Sequence, residues 1–420
     1  MQNNTNNKHQ NHRTTRRTFL ATTAGTVLSG NMLARAADAT DTPADPFSIT
    51  RTWITEGYDG QMCWVHARGD AIPGKNGSPP TVVVTMQKLL LSGSDVFYAI
   101  HSLETGDGGK HWTEPATQPT LDRTTNPDGT VTNVCDMTPA WHAASGKLLA
   151  TGQTVVYQNN KVMPVRTRET PYTVYDPETK SWSEYRLLKM PDFPQFKNAG
   201  AGCTQRFDLP NGDILLPIYF KEPEQKNTSV TVVRCSFDGE TLRYIEHGSE
   251  HTCTAPRGMG EPSLTCFGGR YFLTIRNDET GYVTSSDDGL HFDEPKAWQF
   301  DDGPPLGSYN TQQHWLTHSS GMYLVYTRRG ADNDHVFRHR APLFIAQVDP
   351  EKLCVIRSTE RVLGPERGAR LGNFGVTQVG PEEFWVIVTE WMQPAGCEKH
   401  GSNNRIWCVK VRFDAPLIAE

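Results

Sequence analysis

Apolar residues along this chain come in short runs, broken at close intervals by Gly, Asn, Asp and Pro. Leu209-Pro-Asn-Gly-Asp213 joins two such runs, and Gly268-Gly269 separates 262–267 from 270–275; both read as β-hairpin turns. No stretch sustains the 3.6-residue spacing of a long amphipathic helix. Reading strands between turns gives six units, near 57–115, 131–186, 200–246, 258–299, 309–358 and 370–415. Residues 47–55 are expected to return and complete the last unit, and the first is long enough to split, which makes seven. No linker rich in Pro or Ser divides the chain after residue 46, so 47–420 read as one domain.

One turn recurs. Thr105-Gly-Asp107-Gly-Gly109-Lys-His-Trp112 and Ser285-Ser-Asp287-Asp-Gly289-Leu-His-Phe292 share hydroxyl, x, Asp, x, Gly and a closing aromatic. The Asp side chain accepts backbone N–H bonds across such a turn, Gly takes the positive-φ position and the aromatic packs beneath. Ser236-Phe-Asp238-Gly239 is a degenerate third copy, and Tyr175-Asp176-Pro177 ending at Trp182 a looser fourth. Asp238 and Asp287 stand 49 residues apart, about one four-stranded blade. The motif resembles the Asp-box of the sialidase (neuraminidase) superfamily. That resemblance implies an all-β, six-bladed β-propeller, with seven blades possible, in which Asp107 and Asp287 are structural.

The N-terminus carries a different signal. Arg16-Arg17 followed by Thr18-Phe19-Leu20, a weakly apolar stretch at 21–33 and then Ala34-Arg35-Ala36 read as a twin-arginine export signal over 1–36, with 37–46 a short linker. The expected location is periplasmic or extracellular. No later run of about 18 apolar residues suggests a membrane span. A net charge of -6 argues against nucleic acid as a partner. The nine cysteines form no zinc-type pairs and read as buried thiols, although Cys397 and Cys408 are close enough in sequence to bridge. No metal or cofactor motif appears.

Gly260-Glu261-Pro262-Ser263, then Ile275-Arg276-Asn277, then the second Asp turn follow the order of the sialidase active site. By that resemblance Glu261 is an active-site carboxylate and Arg276 belongs to a cluster that grips a substrate carboxylate, a task suited to the planar guanidinium fork. A further arginine of the cluster falls at Arg338 or Arg340, with Arg340 preferred because apolar strand residues follow it. The resemblance breaks elsewhere. Leu371-Gly372-Asn373-Phe374 has no Tyr where sialidases place their nucleophile, Ala71-Ile72-Pro73 lacks the arginine of the first blade, and no counterpart of the early acid/base Asp is evident. Losing the nucleophile removes the covalent step of a retaining mechanism.

His142, before a hairpin turn, and Tyr219 are the residues read as catalytic replacements, with Arg206 and Arg234 as further carboxylate ligands. Their pattern is similar to that of propeller-type polysaccharide lyases, in which arginines neutralise a uronate and Tyr or His moves the proton. The expectation is an exported enzyme that cleaves a carboxylated, uronate- or sialate-containing glycan by β-elimination or hydrolysis. An exo-sialidase whose nucleophile is Tyr323 or Tyr326 and a non-catalytic glycan-binding propeller are the alternatives.

Overall fold

The computed structural model describes residues 46–164 and 167–416; the export signal read at 1–36, and residues 37–45, lie outside them. The strands form six antiparallel sheets that follow one another along the chain. The first runs from Met62–Ile72 to Ala116–Thr117 and the second from Thr124–Thr125 to Arg186–Leu187. The third runs from Ala199–Gly200 to Leu242–His247, and the fourth from Gly260–Phe267 to Lys296–Ala297. The fifth runs from His314–His318 to Arg361–Gly364, and the sixth holds Phe374–Gln378, Glu383–Thr389 and Ile406–Phe413. Phe47–Trp53 adds the outer strand of the sixth sheet, Phe47 opposite Phe413 and Trp53 opposite Trp407, so the two ends of the domain lock one blade. The length of the first unit goes into strands of 11 and 10 residues rather than into a seventh sheet.

The innermost strands pack side by side around a central axis. Met62–Ile72 lies between Val131–His142 and Phe374–Gln378, and Gly260–Phe267 between Ile214–Phe220 and His314–His318. This is an all-β propeller. Strands covered on both faces have no reason to alternate: every residue of Ile214–Phe220 and of Gly321–Tyr326 is buried. Large aromatics fill the space between sheets, Trp298 lying 5.8 Å from Trp315 between the fourth and fifth. Each such ring removed from water contributes roughly 2–3 kcal/mol.

The Asp turns form, with one change of register. Asp107 Oδ1 accepts the N–H groups of Lys110 and His111, and its other oxygen is 2.6 Å from His111 Nδ1. In the second copy the aspartate that accepts from the turn is Asp288, not Asp287. Its Oδ1 takes the N–H groups of Leu290 and His291, and Ser286 supplies the hydroxyl. The second turn is one residue shorter, so counting back from the aromatic misassigns it. Asp238 and Asp176 cap their own turns, and Asp349, which the pattern did not reveal, does the same. Cys397 and Cys408 do not bridge; both remain thiols.

Candidate active site

The inner strands of the first, second and fourth sheets each break register at one place, between Val65 and Arg68, Cys135 and Thr138, and Gly260 and Ser263. The bulged residue takes positive φ in each: His66 at 59°, Asp136 at 55°, Glu261 at 44°. Cys203 (61°) in the third blade and Asn310 (55°) ahead of the fifth repeat the feature. A non-glycine residue there costs on the order of 1–3 kcal/mol and persists where the surroundings fix it, often at functional sites. A bulge also re-aims a side chain. Here His66, Asp136, Cys203 and Glu261 all line one cavity of about 210 Å³.

One wall is made of arginines. Arg276 is ion-paired with Glu261 and with Asp278, 3.3 Å away, and donates to Asn310 Oδ1 at 3.0 Å. Burial works against its charge, but Glu261 and Asp278 outweigh it and hold the pKa above its ordinary value. Arg340 converges on the same Asn310, donating to its carbonyl and, at 3.3 Å, to Oδ1. It is 4% exposed, its Nε has no partner, and no described carboxylate pairs with it. Burial and the nearby Arg276, Arg370 and Arg338 push its pKa well below that of an ordinary guanidinium. Arg370 lies over the Trp391 ring at 4.3 Å and donates to Gln393 at 3.2 Å. Burial and Arg338 bring its pKa down to about 10.

The opposite wall is a chain of polar groups. The Tyr219 hydroxyl donates to Gln153 Oε1 at 2.7 Å, and Gln153 Nε2 donates to Asp136 at 2.7 Å. Asp136 also faces His66 Nδ1 at 3.2 Å, accepts from the Cys203 thiol at 3.0 Å and lies 3.7 Å from Arg68. Burial opposes the Asp136 charge, yet His66, Arg68 and these bonds bring its pKa down to about 2. Burial pushes the His66 pKa below its usual value, so for this pair we assign an ionised Asp136 beside a neutral imidazole held between Phe97 and Trp391. Burial likewise keeps Tyr219 a protonated phenol and Cys203 a thiol. Asp95, exposed in the turn before Phe97–Thr105, and Asn373 complete the rim.

Of the residues singled out in the sequence, Glu261, Tyr219, Arg276 and Arg340 meet in this cavity. His142, Arg206 and Arg234 lie elsewhere. His142 bridges Ser145 Oγ and the Gly212 carbonyl, fastening the second blade to the third. Arg206 is spent on Asp208 and the carbonyls of Leu149 and Ala140, and Arg234 on Asp213 and Glu246. Tyr323 and Tyr326 are buried in the blade cores, and Tyr326 donates to Glu360. His66, Asp136, Cys203, Arg370 and Asp95 went unrecognised. Asp95 had a signal, standing just ahead of the strand that leads into the first Asp turn. The bulges that aim His66 and Asp136 leave no mark in the residue pattern.

No family model matches the sequence, and no curated protein matches it. Solved structures do. A protein of unknown function from Dyadobacter fermentans aligns over 87% of this chain and 99% of its own, with 15% identity and a TM-score of 0.56. Trypanosoma rangeli sialidase aligns over 87% of this chain and 59% of its own, with 13% identity and a TM-score of 0.58. The fold is that of a sialidase-like β-propeller. A Hadza microbial sialidase agrees, at 12% identity and a TM-score of 0.58 over 84% of this chain and 66% of its own. The sialidase-like propeller thus spans well under two thirds of the trypanosomal protein.

Proposed function

We propose that this chain is an exported enzyme that removes a terminal sugar acid from a glycan. The observation that carries this reading is the pair Arg276–Arg340, joined through Asn310, in which the buried Arg340 has no carboxylate partner among the described residues. A cationic cluster of this kind is stabilised by an anion that accepts two parallel bonds. The cavity, about 210 Å³, lies below the roughly 300–1,000 Å³ of pockets for drug-sized ligands, the scale of a single sugar ring. That favours action at a chain end. Trypanosoma rangeli sialidase, which shares the fold, is known in complex with sialic acid.

With no Tyr in the stretch Leu371-Gly372-Asn373-Phe374, where the nucleophile is expected, the chemistry fits a direct displacement. Asp95 delivers a proton to the leaving glycosidic oxygen, a water oxygen bonds to the anomeric carbon as that C–O bond breaks, and His66 takes the proton released by the water. Asp136 steadies the imidazolium that results. One observation favours a second reading, elimination from a uronate. Tyr219 is a protonated phenol that lines the cavity, with the Arg168 guanidinium over its ring at 4.4 Å. It can protonate the leaving oxygen while His66 removes the proton α to a carboxylate that the arginines neutralise.

A product scan on sialosides and glycuronides separates the two. Hydrolysis releases a saturated sugar acid, and elimination an unsaturated uronate that absorbs in the ultraviolet. Ligand binding without either product would leave a binding propeller. Export rests on the Arg16-Arg17 signal and the Ala34-Arg35-Ala36 site. Replacing both arginines by lysine is expected to retain precursor inside the cell, and normal export of that variant would refute it.

A further inference from the structure

We propose that the cavity holds a second anion subsite, built by Arg338 and Arg370 against Phe337 and Trp391. The preferred ligand is then a sugar acid that bears a further anionic group, a sulfate ester or a second carboxylate. This rests on reading the cavity as a sugar-acid site.

The arginines fall into two pairs. Arg276 and Arg340 share Asn310; Arg276 is already paired with Glu261 and Asp278, so one ligand carboxylate at Arg340 completes this pair. Arg338 and Arg370 share a different partner, the exposed Phe337 ring, at 5.0 and 5.3 Å. No described carboxylate forms an ion pair with either, although Asp95 is near enough to act on both charges. Arg370 is only 6% exposed, and its Nε and the Nε1 of Trp391 are buried donors without acceptors. Guanidinium and indole N–H groups donate and cannot accept, so the missing partner is an acceptor, and the local charge makes it an anion.

The charge count agrees. Arg168, Arg257, Arg276, Arg338, Arg340 and Arg370 line the cavity against Asp95, Asp136 and Glu261. Adding Arg68 and Asp278, which pair with members of that set, gives seven arginines against four carboxylates, an excess of three. A single sugar carboxylate cancels one of these charges. Arg257 and Asp95 are exposed and offset one another, so the excess of three falls on the buried and half-buried groups. Burying several like charges without compensation is costly, and a ligand with two or more negative charges fits better than a monoacid.

The test uses titration calorimetry on the full chain with three probes: methyl glucuronoside, its O-sulfated form and its carboxymethyl ether. At least one doubly charged probe should bind at least about tenfold more tightly than the monoacid, and which one does so identifies the second group. Arg370→Gln should cut that ratio below about threefold, whereas Arg276→Lys should weaken all probes and keep the ratio. Should Arg370→Gln fold poorly, the half-buried Arg338→Gln replaces it. Equal affinities in the wild type, or an unchanged ratio in the Arg370 or Arg338 variant, would overturn the subsite. If neither these probes nor sialic acid binds, the sugar-acid reading fails by itself, and inorganic sulfate decides the subsite. Sulfate should raise the melting temperature above chloride at matched ionic strength in wild type but not in Arg370→Gln; an equal rise in both would overturn it.

Discussion

Removing Arg340 should stabilise the empty protein and abolish its ligand binding, two effects that rarely coincide. Arg340 is buried, has no carboxylate partner and feels Arg276, Arg370 and Arg338. In Arg340→Gln the repulsion disappears, and relief of one uncompensated buried charge is worth about 1–3 kcal/mol. Against this stands the loss of its bonds to Asn310, about 1 kcal/mol each, part of which the glutamine amide replaces. The net gain is about 1 kcal/mol. At about 2 cal/mol/K of unfolding entropy per residue, that raises the melting temperature by only about 1–2 °C. Sugar-acid affinity should meanwhile fall by about 2–5 kcal/mol, roughly 30- to 3000-fold. Differential scanning calorimetry with and without the sugar acid reads both. An Arg340→Gln variant that melts several degrees lower without ligand would show that the arginine is a structural brace, and would refute the reasoning.

Three further outcomes are expected. Burial and Arg68 bring the His314 pKa to about 3; its Nδ1 meets Ser263 Oγ, and its ring packs on Phe374. The unfolded chain therefore binds a proton that the native one refuses between about pH 6.5 and 3. Stability present above pH 6.5 falls as pH drops through that window, by up to roughly 3–5 kcal/mol, and His314→Gln should flatten the slope of urea midpoints between pH 7 and 4. Asp288→Ala should cost about 1 kcal/mol, modest because the carboxylate is half exposed, while the exposed Asp287→Ala stays within about 0.5 kcal/mol; the reverse order in thermal melts would restore the earlier register. Tyr219→Phe should abolish any elimination product yet slow hydrolysis less than about tenfold, so an equal loss of both would place Tyr219 in the hydrolytic step as well.

The blade frame was legible in the sequence because most of the blades repeat a local device. An Asp turn with an aromatic beneath is readable from Thr105–Trp112 alone, and Gly-rich hairpins mark the strand ends. Glu261 and Arg276 were legible for the same reason, since they precede an Asp turn on one blade. The rest of the cavity draws residues from strands and loops far apart in the chain, and three of its blades aim theirs through a bulge. His66 sits in an apolar strand and Asp136 beside Cys135, and nothing local distinguishes such a residue from a core position until the chain's left-handed kink turns it inward. His142 and Arg206 misled because their neighbours look polar and pocket-like, whereas the fold spends them on carbonyls and carboxylates between blades.

The central claim is that the arginine wall recognises a sugar carboxylate. Its most direct test compares, by calorimetry on the wild-type protein, a terminal sugar acid with the same sugar reduced to its alcohol at that carbon. The acid should bind at least about a hundredfold more tightly, and the difference should shrink in Arg340→Gln. Equal affinity for the acid and the alcohol would contradict it.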